Sequence, residues 1–140
     1  MKMLSSIPHV DLVVSSFNKS LPFYKKLFEV LGWEKESETK GERGERLIYF
    51  AGPGGKLDSA IGLRERQSHN RSTPYDRYDL GFHHVAINAP TRRLVNDVAA
   101  WLRKEGYKIE SGPEEYYNKN YYALFFCDPD GLKLEVVSRE

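Results

Sequence analysis

Residues 84–106, HVAINAPTRRLVNDVAAWLRKEG, read as a strand, a cap, a helix and a stop. Val85 and Ile87 alternate with smaller or polar residues, the period of a strand with one buried face. Leu94, Val95, Val98, Trp101 and Leu102 follow the three-then-four spacing of one buried helical face. Thr91 stands at the N-cap and Gly106 supplies the left-handed stop. The same order stands at the front of the chain. There HVDLVV (9–14) precedes a helix through Leu21, Tyr24, Leu27, Phe28 and Leu31, and Gly32 ends it. A shift of 74 positions lays Gly32 on Gly106, Leu21 on Val95, Tyr24 on Val98, Leu27 on Trp101 and Phe28 on Leu102, so apolar meets apolar throughout. Pro22 would clash with a carbonyl four residues back if the first helix began at Phe17, so Ser20 is the expected N-cap.

Each helix is followed by three strand-like runs: WEKES, RLIYFAG and SAIGLRE in the first half, YKIES, YYALFFC and LKLEVVS in the second. The last two of each half are joined by turn chemistry, AGPGGKLD and CDPDG. The expected fold is α+β: two paired βαβββ modules, residues 7–65 and 81–138, joined by a polar linker at 66–80 within a single domain of residues 1–140. Helices cover one face of each sheet. Strand twist curves the other faces into a cup of eight mostly antiparallel strands.

Hydrophobic residues make up 40% of the chain and charged residues 29%, ordinary values for a folded protein. Lys plus Arg (21) nearly cancel Asp plus Glu (20), which leaves no basic field for a phosphate backbone and argues against a nucleic-acid partner. No apolar run approaches the roughly 20 residues of a membrane span, so no membrane partner is expected. A single cysteine, Cys127, and an N-terminus without an export pattern point to a cytoplasmic setting.

Alternation along LKLEVV turns Leu132, Leu134 and Val136 to the helix and Glu135 to the open face. The same rule sends His9 and His84 to that face, each at the start of its module. Two imidazoles and a carboxylate with open positions form the facial arrangement that holds iron, manganese, zinc or nickel. A histidine at a strand start is more often structural, and a strand Glu is more often a solvated residue; the matched register of the two histidines favours the ligand reading. His83, one residue from His84, is expected on the opposite face. His69 lies in the polar linker, where a loop histidine has no assigned role. Arg64 shares the face of Gly62 and is a candidate for a substrate carboxylate or phosphate. Tyr116, Tyr117, Tyr121, Tyr122, Phe125 and Phe126 offer an aromatic wall, and Tyr122 is the expected substrate-binding member. Cys127 has no neighbour in sequence that would lower its pKa, so a nucleophilic role is not expected.

Three stretches carry a resemblance: SIPHVDLVVSSFNKSLPFYKKLFEVLGW, GFHHVAINAP and YYALFFCDPDGLKLEVV. Together they resemble the vicinal oxygen chelate superfamily, which includes glyoxalase I, extradiol dioxygenases, fosfomycin-modifying enzymes and bleomycin-resistance proteins. The resemblance implies that His9, His84 and Glu135 hold one divalent metal ion and that a small oxygenated substrate chelates it. It places Gly62 where glyoxalase I-like members carry a fourth ligand, so their proton shuttling is not expected. A lyase, isomerase or dioxygenase reaction is implied, and the alternative is a non-catalytic binder of an antibiotic or other small molecule, of the bleomycin-resistance type. A homodimer is the more frequent assembly of such chains.

Overall fold

The computed structural model describes residues 5–54, 59–67 and 74–140. The chain divides into two compact units, residues 1–71 and 72–140. His69 lies outside the described residues.

Unit one contains β1 (His9–Val14), α1 (Phe17–Leu31), the two-residue strands β2 (Glu34–Lys35) and β3 (Thr39–Lys40), β4 (Arg46–Ala51) and β5 (Ala60–Glu65). Its sheet runs β1-β5-β4-β2, with β3 also on β4, and only the β1/β5 pair is parallel. The expected three strands after the helix become four, because the run after WEKES forms a second short ladder, Thr39 and Lys40 against Leu47 and Arg46. Val14, Phe17, Phe23, Leu27, Phe28, Ile48, Phe50 and Leu63 are fully buried between helix and sheet. Phe28 stacks on Phe50 at 4.7 Å between ring centroids and on Trp33 at 5.0 Å.

The start of α1 differs from expectation. Ser20 is buried inside the helix, Ser16 is the N-cap residue with no side-chain bond of its own, and Pro22 sits within the helix. The N-terminal amide of Phe17 is satisfied instead by Glu65 Oε1 at 2.6 Å, a carboxylate delivered by β5. A negative charge on the first turn suits both the orphan N–H groups and the helix dipole. That long-range cap lets the helix begin at Phe17, its N-cap four residues before Ser20, despite the bond that Pro22 cannot donate.

Unit two contains β6 (Val85–Asn88), α2 (Arg92–Glu105), β7 (Ile109–Glu115), β8 (Tyr122–Cys127) and β9 (Lys133–Ser138), in the order β6-β9-β8-β7 with only β6/β9 parallel. Here the caps are those read from the sequence. Thr91 accepts from the Leu94 amide at 3.2 Å, and Gly106 stops the helix at φ 74°. Val95, Val98, Ala99, Trp101 and Leu102 are buried on one face of α2, and Leu124, Phe126, Leu134 and Val136 are buried within the sheet. The CDPDG turn is held by more than its Pro and Gly: buried Asp128 accepts through Oδ1 from the Asp130 and Leu132 amides, both at 2.8 Å. Among the described residues no helix is long and apolar enough to cross a membrane.

Candidate functional site

The sheet face away from α2 carries the chemistry of unit two. His84 immediately precedes β6, and Ala86 lies opposite Glu135 in the parallel β6/β9 ladder. That register brings His84 Nε2 to 3.0 Å from Glu135 Oε2. The Glu135 side chain is only 2% exposed, which would be costly for a carboxylate without partners. Its other oxygen, Oε1, accepts from the Tyr121 phenol at 2.5 Å, so both oxygens are held. Burial, and then donation to Glu135, push the Tyr121 hydroxyl up to about 12, which keeps it a proton donor at neutral pH.

Aromatic rings surround the pair. Phe125, opposite Glu135 in the β8/β9 ladder, lies 6.1 Å from the His84 ring and 5.2 Å from that of Tyr116. Lys133 Nζ stands 4.8 Å over the Phe125 ring, and the Arg139 guanidinium 4.6 Å over that of Tyr121. The turn leading into β8 puts Tyr117 in the left-handed region at φ 62°, where its ring meets Tyr121 at 5.6 Å.

Tyr122 is placed differently from expectation. Its phenol donates to Asn96 Oδ1 on α2 at 2.7 Å, and the Arg92 guanidinium covers its ring at 4.9 Å. It shares the parity of Leu124 and Phe126, whose burial marks the helix-covered face. Tyr121, one residue earlier, is the tyrosine that reaches Glu135; the two apolar residues Leu124 and Phe126 two and four positions beyond Tyr122 were the signal that could have assigned the parity. His83 also departs from expectation. Strand alternation does not govern it, because β6 begins only at Val85, and its Nδ1 lies 2.8 Å from His84 Nδ1.

In unit one, His9 opens β1 with its ring edge-on to Tyr49 at 5.7 Å. Two residues on, Asp11 lies opposite Gly62 in the β1/β5 ladder, with Tyr49 on the other side of Gly62. Asp11 Oδ2 accepts from the Tyr49 hydroxyl at 3.1 Å and from Arg64 Nε at 2.8 Å, while Arg64 also donates to Glu45. These contacts raise the Arg64 pKa further, the Asp11 hydrogen bond most, with burial opposing. Among the described residues, buried Asp11 Oδ1 has no hydrogen-bond partner. A Cβ added to Gly62 would stand 2.3 Å from that oxygen and 2.7 Å from Tyr49 Cε1. The space beside Gly62 is therefore filled by a carboxylate from the neighbouring strand, an occupant that the alignment of the last strands did not reveal.

A second cluster in unit two surrounds Glu110, which accepts from Arg77 at 2.6 Å and from the Cys127 thiol at 3.3 Å and lies 3.5 Å from Lys133. Arg77, Glu110 and Cys127 border an open cavity of about 590 Å³ lined also by Tyr75, Tyr78 and Tyr107. Burial and then Glu110 push the Cys127 thiol up.

The family model for the Glyoxalase/Bleomycin resistance protein/Dioxygenase superfamily matches residues 6–136. The chain belongs to this superfamily. Its relatives include the uncharacterized protein YqjT of Bacillus subtilis (strain 168), 22% identical over 133 residues that span 93% of this chain and 96% of that protein. Among solved structures, a glyoxylase/bleomycin resistance protein/dioxygenase domain from Frankia sp. EAN1pec aligns with a TM-score of 0.79 at 23% identity, over 99% of this chain and 100% of that one. The fosfomycin resistance protein FosX from Listeria monocytogenes, solved with Mn(II) and a sulfate ion, aligns with a TM-score of 0.62 at 17% identity, over 97% and 93% of the two chains. These likenesses establish the superfamily fold, and members such as FosX bind a divalent metal.

The donor set can be tested against such an ion. Two ligands each about 2.0–2.2 Å from one ion and at right angles to each other stand about 3 Å apart. His84 Nε2 and Glu135 Oε2 are separated by 3.0 Å, so the pair fits two adjacent ligand positions. Among the described residues no three His, Cys, Asp or Glu side chains are gathered at ligand distance.

Proposed function

We propose that the protein is a divalent-metal-dependent enzyme in which His84 and Glu135, completed by His9, hold one ion of iron, manganese, zinc or nickel and present a small oxygenated substrate to it. One observation carries this reading: a histidine nitrogen and a buried carboxylate oxygen stand at the separation of adjacent ligands, and the second carboxylate oxygen is locked by Tyr121. When bound, the ion acts as a Lewis acid on the oxygen atoms of the substrate. The chain supplies orientation around it. Tyr121 fixes the carboxylate, Phe125 and Tyr116 offer ring surface to an apolar part of the substrate, and Arg64, although engaged by Asp11 and Glu45, remains the candidate for an anionic part.

In this reading the reaction is of lyase, isomerase or dioxygenase type, and the likeness to FosX, a fosfomycin resistance protein, makes fosfomycin one substrate to screen. The reading includes a homodimer in the cytoplasm. The rival function, sequestration of an antibiotic without chemistry, draws support from the tyrosine-rich surface formed by Tyr116, Tyr117 and Tyr121. Metal analysis of protein purified without added metal decides between them. We expect near-stoichiometric metal, lost in His84→Ala and in Glu135→Ala, with affinity for Mn(II) falling by more than the roughly 10- to 100-fold cost of removing an outer-sphere partner. A protein that holds no metal and takes up none of the four ions would end the enzyme reading.

A further inference from the structure

We infer that His83 is the positioning residue for His84, selecting by a paired change of tautomer which His84 nitrogen is free to bind metal; this rests on the metal reading above. Two contacts carry it. The His84 Nε2 contact with Glu135 at 3.0 Å requires a proton on Nε2, because a carboxylate only accepts. With Nε2 protonated in the neutral ring, Nδ1 carries a lone pair, and the group 2.8 Å away that donates to it is His83 Nδ1. With both rings neutral, the metal-free arrangement is His83 Nδ1–H donating to His84 Nδ1, and His84 Nε2–H donating to Glu135.

For Nε2 to serve as a ligand it must lose that proton, and the neutral ring then carries it on Nδ1. A ligating histidine holds its orientation by donating its other N–H to an acceptor. His83 Nδ1 becomes that acceptor once the His83 proton moves to its own Nε2. Each ring thus shifts one proton from one nitrogen to the other, no net proton is gained or lost, and the 2.8 Å contact reverses its direction while keeping its length.

The surroundings hold His83 for this role. Tyr78 packs edge-on against its ring at 5.1 Å, and the Tyr75 hydroxyl donates to the carbonyl of Phe82. The Arg77 guanidinium lies 5.6 Å over the Tyr78 ring and is itself tied to Glu110. His83 is exposed, so water can carry the proton between its two nitrogens, and its removal leaves no buried gap.

The test uses the full chain with 15N-labelled histidine and Zn(II) as a diamagnetic probe. In metal-free protein the imidazole spectrum should show His84 protonated at Nε2 and His83 at Nδ1. Saturation with Zn(II) should move both, to Nδ1 on His84 and Nε2 on His83. His83→Ala should weaken Zn(II) binding roughly 10- to 100-fold, and His83→Gln, whose amide both donates and accepts, should restore most of it. An Nδ1–H tautomer of His84 in the metal-free protein would overturn the inference, as would Zn(II) binding by His83→Ala equal to that of the unaltered chain. The second result leaves the metal reading standing. Failure of the unaltered chain to bind Zn(II), Mn(II), Fe(II) or Ni(II) overturns both.

Discussion

The two units repeat one plan and differ in which strand delivers the carboxylate. In unit two, Glu135 on the last strand faces Ala86 on the first. In unit one the assignment is exchanged across the same parallel ladder: Asp11 on the first strand faces Gly62 on the last. Each carboxylate is held by a tyrosine hydroxyl, Tyr121 or Tyr49, with a histidine on the same face at the front of the module. The partners beyond that diverge. Glu135 meets His84, whereas Asp11 is neutralised by Arg64, so unit two offers a carboxylate with an imidazole beside it and unit one offers a carboxylate in an ion pair. Gly62 on the last strand of unit one thus faces occupied space, because the volume a side chain would need is taken by Asp11 with its own anchors.

Breaking that exchange should have the largest effect on stability. Gly62→Ala forces a Cβ to 2.3 Å from Asp11 Oδ1, and either Asp11 or Tyr49 must leave its partners. We expect a loss of about 2–3 kcal/mol, read from urea midpoints at unchanged slope. Asp11→Ala removes the obstruction, so the Asp11→Ala/Gly62→Ala pair should cost less than the two single changes together, with a coupling of about 1 kcal/mol or more. Strict additivity would show that the two positions do not compete for one volume. Gly62→Glu in the Asp11→Ala background returns the acid to the last strand, as in unit two, and should be tolerated far better than Gly62→Glu alone.

Acid exposes the second difference. Around Glu110 of unit two, burial tends to raise the carboxyl pKa, but Arg77, the Cys127 thiol and Lys133 outweigh it and hold it near 2, from an ordinary 4.5. A lowered folded-state value means that the unfolded chain binds the proton more readily, so the stabilisation is complete above the unfolded pKa and disappears as pH falls through the folded one. Between pH about 4.5 and about 2 the protein should therefore lose on the order of 2–3 kcal/mol that Glu110→Gln does not lose over the same interval. Denaturant melts of the two proteins at several acid pH values test this; parallel curves would remove Glu110 from the acid response.

How far the sequence foretold the molecule follows the range of the interaction involved. Helix α2 with both its caps, the span of β1 and the CDPDG turn were legible, since each depends on residues a few positions apart, and α1 was legible except for its start. The superfamily model agrees with the resemblance carried by the two front strands and the last one. Glu135 was readable from alternation along β9, and the structure brings His84, which immediately precedes β6, to it. Whether His9 joins them belongs to the metal proposal. Tyr121, Asp11 and the His83 contact were not legible, because a ladder register, a side chain borrowed from another strand and the exact first residue of β6 are set by tertiary pairing. Tyr122 illustrates the cost of reading by adjacency alone: lying beside the Glu135 strand does not say which face a ring takes, whereas its parity with Leu124 and Phe126 does.

The helix caps give the smallest and cleanest version of the comparison. Thr91 caps α2 from within three residues of its partner, whereas α1 takes its cap from Glu65, 48 positions away and carrying a full charge. Thr91→Ala should cost about 1 kcal/mol, with little dependence on salt, because a neutral hydroxyl is lost. Glu65→Ala should cost about 1–2 kcal/mol at low ionic strength, since a charged acceptor and its attraction to the helix N-terminus both go. Added salt should shrink the charge contribution, leaving the two variants closer together at high salt than at low. Glu65→Gln keeps an acceptor and removes the charge, so it should fall between the unaltered chain and Glu65→Ala at low salt. An equal and salt-independent loss for Glu65→Ala and Thr91→Ala would mean that only a hydrogen bond, and no helix-end electrostatics, starts α1 ahead of Pro22.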